Sequence, residues 1–581
     1  MAIIGIDLGT TNCAMAYLKD GKPEIIPNKD GERTTPSIFS LDPHGEIKIG
    51  RAGKNLYTGN PDNTVLEVKR LMGSDEKVTV GEKEYSPEEI SSFYLKYLKE
   101  SAEIFLGEKV TEAIITVPAY FSDSQRKATQ IAGRIAGLKV ERVINEPTAA
   151  AISYGLDNMD EDTTVMIYDL GGGTFDVSIT ELFSGIVQVK SSTGDNELGG
   201  MDFDERLVQW LVKQVERKHE FDILNSGSKA ECDQRYARVR VEAEKVKIEL
   251  STNNTAMFNL PFIAVHNGMP ISITEEITRA EFETLISDLV SSTINKVEKA
   301  LEEANLKVED IHEVILVGGS TRIPLVQEVI EEKMRKKARK NINPDEAVAL
   351  GAAIQGAIKT GEISSDKGLM VIDVCPYALG TDVTKVIGGE DIPGFFDTII
   401  EANQPIPAKN TKIYYTNSDD QEIVNIYVFQ GNPDTVYVED AIAIAQEPIT
   451  LTDIPKGTRG SQSISITFEY DINGMLNVSA EILSTGKKIT SAINTQTGVM
   501  SEAEIKAATT RVEGNWAASQ MYVDVKPVIT RAERLLPDLD SASRQQMESI
   551  LNNLKNALSQ NNEMQVRKYE DELTDILIEL V

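Results

Sequence analysis

Short apolar runs alternate with helical stretches along residues 1–366 of the chain. The runs at 165–168 and 314–317 are continuously apolar, the run at 113–117 is apolar except for Thr116, and each leads into a proline or a glycine-containing segment. Runs of this length between turn signals are typical of buried strands. Strands that alternate with helices favour an α/β fold with central sheets, which we predict for residues 1–366.

The periodicity of the chain changes after residue 367. Apolar and polar residues alternate strictly along 463–470 and again along 476–482, which indicates antiparallel strands with one buried face. Asn473-Gly474 lies between these two segments and is the preferred pair for a tight type I′ hairpin. We therefore predict an antiparallel β domain over residues 375–498.

The last part of the chain has a helical period. Ser501 and Glu504 form a capping-box pattern at the start of a helix. Two sets of apolar residues share helical faces further on. These sets are Leu551, Leu554 and Leu558, followed by Leu573, Ile576, Leu577 and Leu580. We predict a small helical domain over residues 499–581.

Composition and charge narrow the function classes. A length of 581 residues suggests three or four domains, and a net charge of −32 makes nucleic acid and anionic membranes poor partners. We interpret the basic stretch 335–340 as a solvated helix end, because no aromatic residues that could stack on bases are interleaved with it. No apolar run is long enough to span a membrane, and the N-terminus reads as a strand and not as a signal peptide. We expect a cytoplasmic monomer.

The spacing of the cysteine and histidine residues predicts neither a disulfide framework nor a metal site. The cysteines Cys13, Cys232 and Cys375 lie far apart, and the 4 histidines show no metal-ligand spacing. We interpret the cysteines as reduced structural residues.

Three strand-then-glycine turns indicate a phosphate site. Residues 4–11 and 166–174 repeat one pattern, an apolar strand, Asp-Leu-Gly, and then glycine or threonine, and 316–322 is a third such turn. Glycines let backbone N–H groups approach phosphate oxygens, and threonine hydroxyls add donors. Asp7 and Asp169 end two of the strands, where carboxylates would repel phosphates unless a cation such as Mg²⁺ lies between them.

The common nucleotide motifs do not occur. The chain contains no GxxxxGK[ST] sequence and no GxGxxG that opens a helix after a strand. The repeated turns instead favour two similar subdomains that face each other across a cleft.

These turns resemble the motifs of the seventy-kilodalton heat-shock chaperones, the DnaK family. The similar segments are 6–12, 116–121, 145–151, 168–176 and 317–322. The resemblance implies a multidomain protein with an actin-like α/β ATPase domain, an antiparallel β-sandwich that binds peptides and a small α-helical lid. On this basis the ATPase domain covers 1–366, a hydrophobic linker 367–374, the β-sandwich 375–498 and the lid 499–581.

The resemblance also implies roles in the nucleotide site. The residues expected to take part in hydrolysis are Lys69, Glu146, Thr174, Asp7 and Asp169. Asp7 and Asp169 would hold Mg²⁺ through waters, and K⁺ is a further cation that the site could take. The residues expected to bind ATP or ADP are Gly9, Thr10, Thr11, Asn12, Gly171, Gly172, Gly173, Thr174, Gly199, Gly200, Glu244, Lys247, Ser251, Gly318, Gly319, Ser320 and Arg322. Without the resemblance, Glu244 and Lys247 would be interpreted as a surface ion pair.

Peptide binding and its coupling to ATP are implied in the same way. The expected groove residues are Phe396, Tyr414, Val424 and Ile426. The expected switch, linker and J-domain cochaperone positions are Pro118, Arg126, Arg142, Leu369, Met370, Val371, Ile372 and Asp373. The partners implied are extended hydrophobic peptides of unfolded proteins and a J-domain cochaperone. The short segment at 73–87 leaves the need for a nucleotide exchange factor open.

Within the family, three features are most similar to the HscC branch. These are the sequence at 375–380, the hairpin at 470–474 and the short helical tail. A short lid predicts weaker trapping of clients than in longer relatives.

Two alternatives remain at this point. The chain could be a small-molecule kinase of the actin-like superfamily, although the added β domain, linker and lid count against it. It could also be a non-hydrolysing actin-like scaffold, although Lys69 and Glu146 count against that.

Overall fold

The structure is a computed structural model that describes residues 2–157, 162–339, 343–363, 370–445, 447–492 and 500–579. The predicted linker residue Leu369 and the lid residue Leu580 lie outside the described residues. Among the residues described, no helix is long and apolar enough to cross a membrane.

The first lobe of the N-terminal region is built on a mixed sheet with the order β11-β10-β1-β2-β3, and β4 pairs with β2. Strand β1 runs parallel to β10 and antiparallel to β2, so its carboxyl end lies at the sheet edge where the first glycine turn begins. The strands are β1 Ala2–Leu8, β2 Asn12–Lys19, β3 Lys22–Ile25, β4 Thr35–Pro36, β5 Ile38–Leu41, β6 Ile47–Ile49, β7 Thr64–Leu66, β8 Val78–Val80, β9 Lys83–Tyr85, β10 Val110–Val117 and β11 Lys139–Asn145. The helices are α1 Arg51–Tyr57, α2 Pro87–Leu106, α3 Asp123–Ile135 and α4 Glu146–Asp157.

The second lobe repeats this plan with the sheet order β17-β12-β13-β14-β18. In both sheets a run of three antiparallel strands is followed by a parallel strand beside the first of them, as the repeated sequence pattern predicts. The strands are β12 Thr163–Leu170, β13 Phe175–Phe183, β14 Ile186–Asp195, β15 Thr255–His266, β16 Met269–Thr278 and β17 Glu313–Val317. The helices are α5 Gly200–His219, α6 Lys229–Leu250, α7 Arg279–Glu303, α8 Pro324–Met334 and α9 Ala347–Thr360.

Helix α9 packs closely against both β1 and α4. A Cβ atom on Gly351 would lie 1.7 Å from the carbonyl oxygen of Ala149 in α4. A Cβ atom on Gly5 of β1 would lie 2.2 Å from the backbone nitrogen of Ala353 in α9. Only glycine allows these backbone approaches, which bring the two lobes together at their base.

The apolar linker is part of the second lobe's sheet. Strand β18, Met370–Ile372, pairs in parallel with β14, and Val371 lies opposite Val187. The backbone groups of this apolar segment are thereby paired at the edge of a sheet.

The β region that follows contains two four-stranded sheets, β20-β19-β23-β24 and β21-β26-β27-β28, and the pair β22-β25. The alternating residues of β26 and β27 point inward as predicted, and those at 464, 466, 468 and 470 are all buried. The strands are β19 Ala378–Ile387, β20 Glu390–Ile400, β21 Ala408–Tyr415, β22 Ile423–Ile426, β23 Val428–Gly431, β24 Ile442–Ala443, β25 Ile449–Thr452, β26 Ser463–Tyr470, β27 Leu476–Ile482 and β28 Lys487–Ala492.

The turn between β26 and β27 differs from the predicted type I′ pair. Tyr470 lies opposite Leu476, which leaves a five-residue loop between them. Within this loop Gly474 has a positive φ of 73°, and Asn473 is not among the residues with positive φ. The carboxylate of Asp471 accepts hydrogen bonds from the backbone N–H groups of Asn473 and Met475. The predicted turn type was wrong because the side chain of Asp471, which precedes the Asn-Gly pair and its flanking residue, bonds the backbone of the turn and sets its conformation.

The tail consists of helices α10 Glu502–Leu535, α11 Ser541–Ser559 and α12 Glu563–Glu579. The predicted capping box is present, since Ser501 accepts from the N–H of Glu504 and the Glu504 carboxylate accepts from the N–H of Ser501. The two halves of α10 pack differently. Its second half forms an apolar bundle with α11 and α12, whereas Ile505, Ala508, Val512 and Trp516 of its first half belong to the core of the first lobe.

The basic stretch after α8 is matched with carboxylates. Among the described residues, Arg335 pairs with Glu309, Lys337 with Glu331 and Arg339 with Glu313. These contacts agree with the interpretation of a solvated helix end.

Candidate functional site

A cavity of about 690 Å³ lies between the two lobes of the N-terminal region. The predicted nucleotide residues that line it are Asp7, Gly9, Thr10, Thr11, Asn12, Lys69, Glu146, Asp169, Gly171, Gly172, Thr174, Glu244, Lys247, Ser251, Gly318, Gly319, Ser320 and Arg322. Three predicted residues, Gly173, Gly199 and Gly200, are not in its lining but lie against residues that are.

The first two glycine turns pack directly against each other at the base of the cavity. A Cβ atom on Gly172 would lie 2.3 Å from the side chain of Thr11, and a Cβ on Gly173 would lie 2.5 Å from that of Thr10. A Cβ on Gly199 would lie 2.4 Å from the backbone of Gly172. These three glycines therefore allow the close approach of the turns that surround the site.

The third turn is attached to the second by the side chain of Ser320. Gly318 has a positive φ of 81°, which turns the chain away from the end of β17. The hydroxyl of Ser320 donates to the carbonyl oxygen of Gly171 at 2.8 Å. Arg322 stands at the mouth of the cavity, half exposed, and pairs with Asp345 at 2.6 Å.

Two carboxylates lie at the strand ends where the sequence predicted them. Burial, and then the nearby Glu146, raise the pKa of Asp7 to about 7. Burial and the charges of Glu146 and Asp176 raise the pKa of Asp169 well above its ordinary value. A cation beside these groups would favour their ionised forms, which fits the prediction of Mg²⁺.

The donor types at the two strand ends are compatible with Mg²⁺. Among the described residues, no three His, Cys, Asp or Glu side chains come together as a metal-binding group. Oxygen ligands from water, phosphate and one or two carboxylates are a usual set for Mg²⁺, so the donor chemistry at Asp7 and Asp169 is compatible with this ion.

Lys69 forms the buried ion pair of the site. Its Nζ donates to Oε1 of Glu146 at 2.6 Å, and the two side chains are only 7% and 9% exposed. Burial opposes the charge on Lys69, but Glu146 and Asp7 outweigh it and raise the pKa of Lys69. Lys69 is therefore a fixed cation close to the phosphate turns and is not the solvent-exposed lysine that its local sequence alone would suggest.

The far end of the cavity is lined by helix α6, as the spacing of Glu244, Lys247 and Ser251 predicts. Glu244 and Lys247 do not pair with each other. Glu244 accepts from Lys54 of the first lobe at 2.5 Å, and Lys247 donates to Asp204 and to the carbonyl oxygen of Gly200, both at 2.8 Å. The alternative interpretation of a surface ion pair between them was therefore wrong.

Sequence reasoning missed several residues around the cleft. Arg70 and Asp202 form an ion pair across the two lobes, and so do Glu67 and Arg240. Asp176 is fully buried and accepts from the backbone N–H of Ala119 at 3.2 Å. A usable signal existed, because Arg70 follows Lys69 directly and Asp176 and Asp202 lie within three residues of predicted glycine-turn residues.

The linker ends in a buried carboxylate that joins the two halves of the molecule. Asp373 is 4% exposed and accepts from Nδ2 of Asn145 at 3.1 Å and from the hydroxyl of Thr148 at 3.0 Å. Arg126 donates to Oδ1 of Asn145 at 2.6 Å and so belongs to the same network. The structure thus brings together Arg126 and Asp373, two of the positions expected to couple ATP to the peptide domain.

Arg142 and Pro118 lie beside this network. Burial lowers the pKa of Arg142 against the opposing effect of Asp373 and Asp471, and within the described chain its Nε has no hydrogen-bond partner. Pro118 follows β10 directly and precedes Ala119 and Tyr120, whose N–H groups donate to the carboxylate of Asp176.

The β domain contacts both lobes through its own polar residues, the first lobe at Tyr120 and the second at Glu303 and Ser192. The hydroxyl of Tyr377 donates to the carbonyl oxygen of Tyr120 at 2.5 Å, and their rings lie 4.4 Å apart. Asn403 donates to Glu303 at 2.8 Å and accepts from the N–H of Ser192 at 3.0 Å.

The four predicted groove residues do not share one exposed surface. Phe396 and Ile426 are buried, with 5% and 2% exposure, whereas Tyr414 and Val424 are half-buried at the edge of the β-domain core. The hydroxyl of Tyr414 donates to Asp397 at 2.7 Å. Large apolar side chains that are exposed on the same strands include Ile413, Tyr415 and Ile423.

Comparisons with known proteins give a consistent result. The protein family described as "Hsp70 protein" matches residues 3–579. The chain is also similar to "Chaperone protein DnaK" of Mycoplasma mobile, with 43% identity over 548 residues that cover 94% of this chain and 87% of that relative. Both matches extend beyond the two lobes into the β strands and the helical tail.

Proposed function

We infer that this chain, which belongs to the Hsp70 family and is an ATP-dependent molecular chaperone with ATPase activity, uses linker docking to connect its nucleotide cleft to a peptide grip. The observation that carries this proposal is strand β18, which joins the linker to the sheet that also holds Asp169. We propose that ATP favours this docked arrangement and that hydrolysis releases it. The kinase and scaffold alternatives are not favoured, because the family match includes the β strands and the lid.

The proposed chemistry of the cleft needs no covalent intermediate on the protein. Mg²⁺, held through waters by Asp7 and Asp169, would neutralise phosphate charge when bound. Backbone N–H groups of the turns at 9–12 and 171–174 would hold the phosphates, and Thr174 would add a hydroxyl at the same place. Lys69 and Glu146, fixed by their ion pair, would orient the attacking water. Positioning and charge neutralisation are sufficient for phosphoryl transfer to water.

We propose that the β domain is the peptide grip, that is, the part of the chain that binds an extended hydrophobic peptide. The strands β21 and β22 carry exposed apolar residues and lie at the ends of their sheets, where an extended peptide can add with loose sequence preference. Tyr414 and Val424 alternate with these exposed residues and face the other side of their strands, where they remain proposed contacts. A role for Phe396 and Ile426 requires that the domain open.

In this arrangement the first half of helix α10, part of the proposed lid, packs on the first lobe. Trp516 of α10 stacks on Phe93 at 6.2 Å, and its Nε1 donates to Glu100 at 2.6 Å. Because the first half of α10 is held on the first lobe, it does not cover the β strands. We propose that this is the state with rapid peptide exchange.

Trp516 provides the test of this proposal. The chain has 2 tryptophans, so Trp210→Phe leaves Trp516 as the sole tryptophan reporter. ATP should keep Trp516 in its buried, hydrogen-bonded site, whereas ADP should expose it and shift its emission to longer wavelength. Identical emission spectra in ATP and ADP would contradict nucleotide-controlled docking, and Trp516→Phe is the control that removes the signal.

The remaining assignments are narrower proposals. We propose that a J-domain cochaperone acts at the region of Arg142 and the buried Asp373, and that the chain works as a cytoplasmic monomer. Membership of the HscC branch rests on the sequence at 375–380, the hairpin at 470–474 and the short tail. A client off-rate in ADP as slow as that of longer relatives would argue against the proposed weak trapping.

A further inference from the structure

The turn that holds Lys69 is attached to the opposite lobe on both sides. It is a short 3-10 helix, Val68–Leu71, that belongs to the first lobe and follows Glu67. Glu67 on one side of Lys69 and Arg70 on the other both reach across the cleft. We name these two contacts the cross-cleft brackets.

The Arg70 bracket joins two parts of the second lobe, the turn at Gly173 and the start of helix α5. Its guanidinium donates to the carbonyl oxygen of Gly173 from Nε at 3.1 Å and from Nη2 at 2.8 Å. It also forms two bonds to the carboxylate of Asp202, at 3.2 and 2.7 Å. Asp202 in turn accepts from the N–H of Gly199 at 2.7 Å and so caps helix α5. One side chain thereby fixes the carbonyl next to Thr174 and the start of the helix behind it.

The Glu67 bracket joins the same turn to helix α6. Glu67 accepts from Nη2 of Arg240, and the two side chains are 17% and 19% exposed. Glu67 has a positive φ of 59°, a conformation that a non-glycine residue adopts at some cost. The backbone therefore accepts an unfavourable conformation at the residue that makes this cross-cleft contact.

These contacts imply a geometric dependence. Lys69 belongs to the first lobe, whereas Thr174 and the second phosphate turn belong to the other lobe. Any opening of the cleft near this turn must break the bonds of Arg70 to Gly173 and Asp202. The bracketed turn can therefore hold Lys69 in its working position only while the lobes are closed.

We propose that Arg70 is a positioning residue for ATP hydrolysis, assisted by Glu67, which places Lys69 against the second phosphate turn when the lobes close. This inference rests on the role proposed above for Lys69. Arg70 acts through bonds to a backbone carbonyl and a helix cap, and its side chain is not in the lining of the cavity. Planar, bidentate contacts of this kind are not reproduced by lysine.

The chain offers a matched control for substitutions at Arg70. Arg33 also forms a bidentate pair with a carboxylate, that of Glu346, at 2.6 and 2.8 Å. The side chain of Arg33 is 62% exposed, and its pair lies outside the turn that holds Lys69. Arg33→Gln thus removes the same kind of pair without touching the brackets.

The test uses the full-length protein and Mg·ATP, with single-turnover hydrolysis and nucleotide dissociation measured separately. Arg70→Gln should slow hydrolysis at least tenfold and speed nucleotide release, while Arg33→Gln stays within twofold of the parent in hydrolysis. Arg70→Lys should hydrolyse at least threefold faster than Arg70→Gln without reaching the parent rate. Hydrolysis by a folded Arg70→Gln within twofold of the parent would overturn the proposal.

A second set of variants separates positioning from a general loss of structure. If Arg70 acts through Asp202, the double variant Arg70→Gln/Asp202→Asn should be no slower than the slower single variant, and full additivity of the two losses would contradict this. If Arg70→Gln does not fold, Arg70→Lys decides the matter, and a parent-like hydrolysis rate in that variant overturns the proposal. Lys69→Ala separates the two levels of inference, because an inactive Lys69→Ala beside a normal Arg70→Gln rejects only the positioning role. Parent-like hydrolysis by Lys69→Ala would instead reject the role of Lys69 itself.

Discussion

The nucleotide cleft and the surfaces on which the linker and lid dock use charged residues in different ways. In the cleft, Lys69 and Glu146 are less than 10% exposed, at 7% and 9%, and are surrounded by further buried carboxylates. On the lid surface, Arg134 and Glu502 are 44% and 79% exposed, and Arg511 is 49% exposed where it pairs with the buried Glu89. Buried pairs that lose a partner are costly, whereas exposed pairs contribute little.

This difference matches what each region has to do. The cleft must hold one geometry for chemistry, so its charges are fixed and shielded from water. In the proposed cycle the lid surface forms and breaks, and it accordingly combines an apolar contact with ion pairs that water can replace. The linker surface lies between the two, because it combines a strand pairing of three residues with one buried carboxylate, Asp373, that follows the strand.

Removal of the buried cation of the cleft should have the largest effect. Lys69→Ala leaves Glu146 without its partner and removes the fixed positive charge beside the phosphate turns. We expect single-turnover ATP hydrolysis to fall roughly 10²- to 10³-fold, as for the loss of other preorganised electrostatic groups. ATP binding, measured by equilibrium titration, should persist. A hydrolysis rate within tenfold of the parent would contradict the conclusion that hydrolysis depends on the buried charges of the cleft.

Asp373→Asn should have the next largest effect, and it should act on coupling and not on basal chemistry. The new amide would place N–H groups opposite those of Asn145, so donors that now bond the carboxylate would lose a partner. Unsatisfied buried donors cost about 1–3 kcal/mol, enough to remove most of a coupling that is typically about 5–150-fold.

The measurement for Asp373→Asn is ATP hydrolysis with and without an extended hydrophobic peptide. Stimulation by the peptide should be lost while the basal rate changes less. Asp453→Asn is the control, because that carboxylate is 81% exposed and pairs with Lys487 on the surface of the β domain. Equal stimulation in the parent and in Asp373→Asn would show that the linker surface is not the coupling element.

The buried Asp176 predicts a pH dependence of stability in the nucleotide-free protein. Burial, and then Glu146, raise its pKa from 3.8 to about 7. A raised carboxyl pKa stabilises the folded state below the unfolded pKa, and this contribution is lost as the pH rises towards about 7, by up to about 1.4 kcal/mol per pH unit. Asp176→Asn should remove this part of the slope.

The comparison for Asp176 is the urea midpoint of parent and variant between pH 5 and pH 8. The difference between them should change between pH 5 and about 7 and then level off, because Asp176 is ionised in both states above that range. A difference that stays constant with pH would mean that Asp176 is ionised throughout.

The lid surface should show the smallest effects. Trp516→Phe keeps an aromatic ring against Phe93 but loses the hydrogen bond to Glu100, which we expect to weaken docking by about 1 kcal/mol. Arg134→Gln removes an exposed pair and should cost no more than about 0.5 kcal/mol, and less at high salt. Dyes on cysteines introduced at the exposed positions Ile104 and Met564 would report docking by energy transfer. A larger loss of docking free energy from Arg134→Gln than from Trp516→Phe would mean that the exposed ion pair, and not the buried tryptophan, stabilises the docked lid.

The nucleotide turns were predictable because each is a contiguous motif after a strand. Asp7, Asp169 and the glycines beside them need only local sequence to place them at a strand end, and the repeated pattern places the two turns opposite each other. The cross-cleft brackets were not predictable from local sequence, because Arg70 and Asp202 are 132 residues apart and belong to different lobes.

The peptide groove was harder for a different reason. Alternation along β21 and β22 shows which residues share a face, but it does not distinguish a face that packs on the core from one that binds a peptide. Ile426 packs in the β-domain core and Tyr415 is 62% exposed, so the division depends on how the sheets pack. The turn at 471–475 shows the same limit, because one aspartate overrides the preference of the Asn-Gly pair.

The most direct measurement of the central claim is the rate at which a fluorescent extended peptide dissociates from the ADP-bound protein after ATP or ADP is added. If ATP binding favours the docked linker and lid, ATP should speed dissociation by about 5- to 150-fold, the range typical of coupled sites. Asp373→Asn should lose most of this difference, whereas Asp453→Asn should keep it. Equal dissociation rates in ATP and ADP for the parent protein would contradict the proposed coupling of the cleft to the grip.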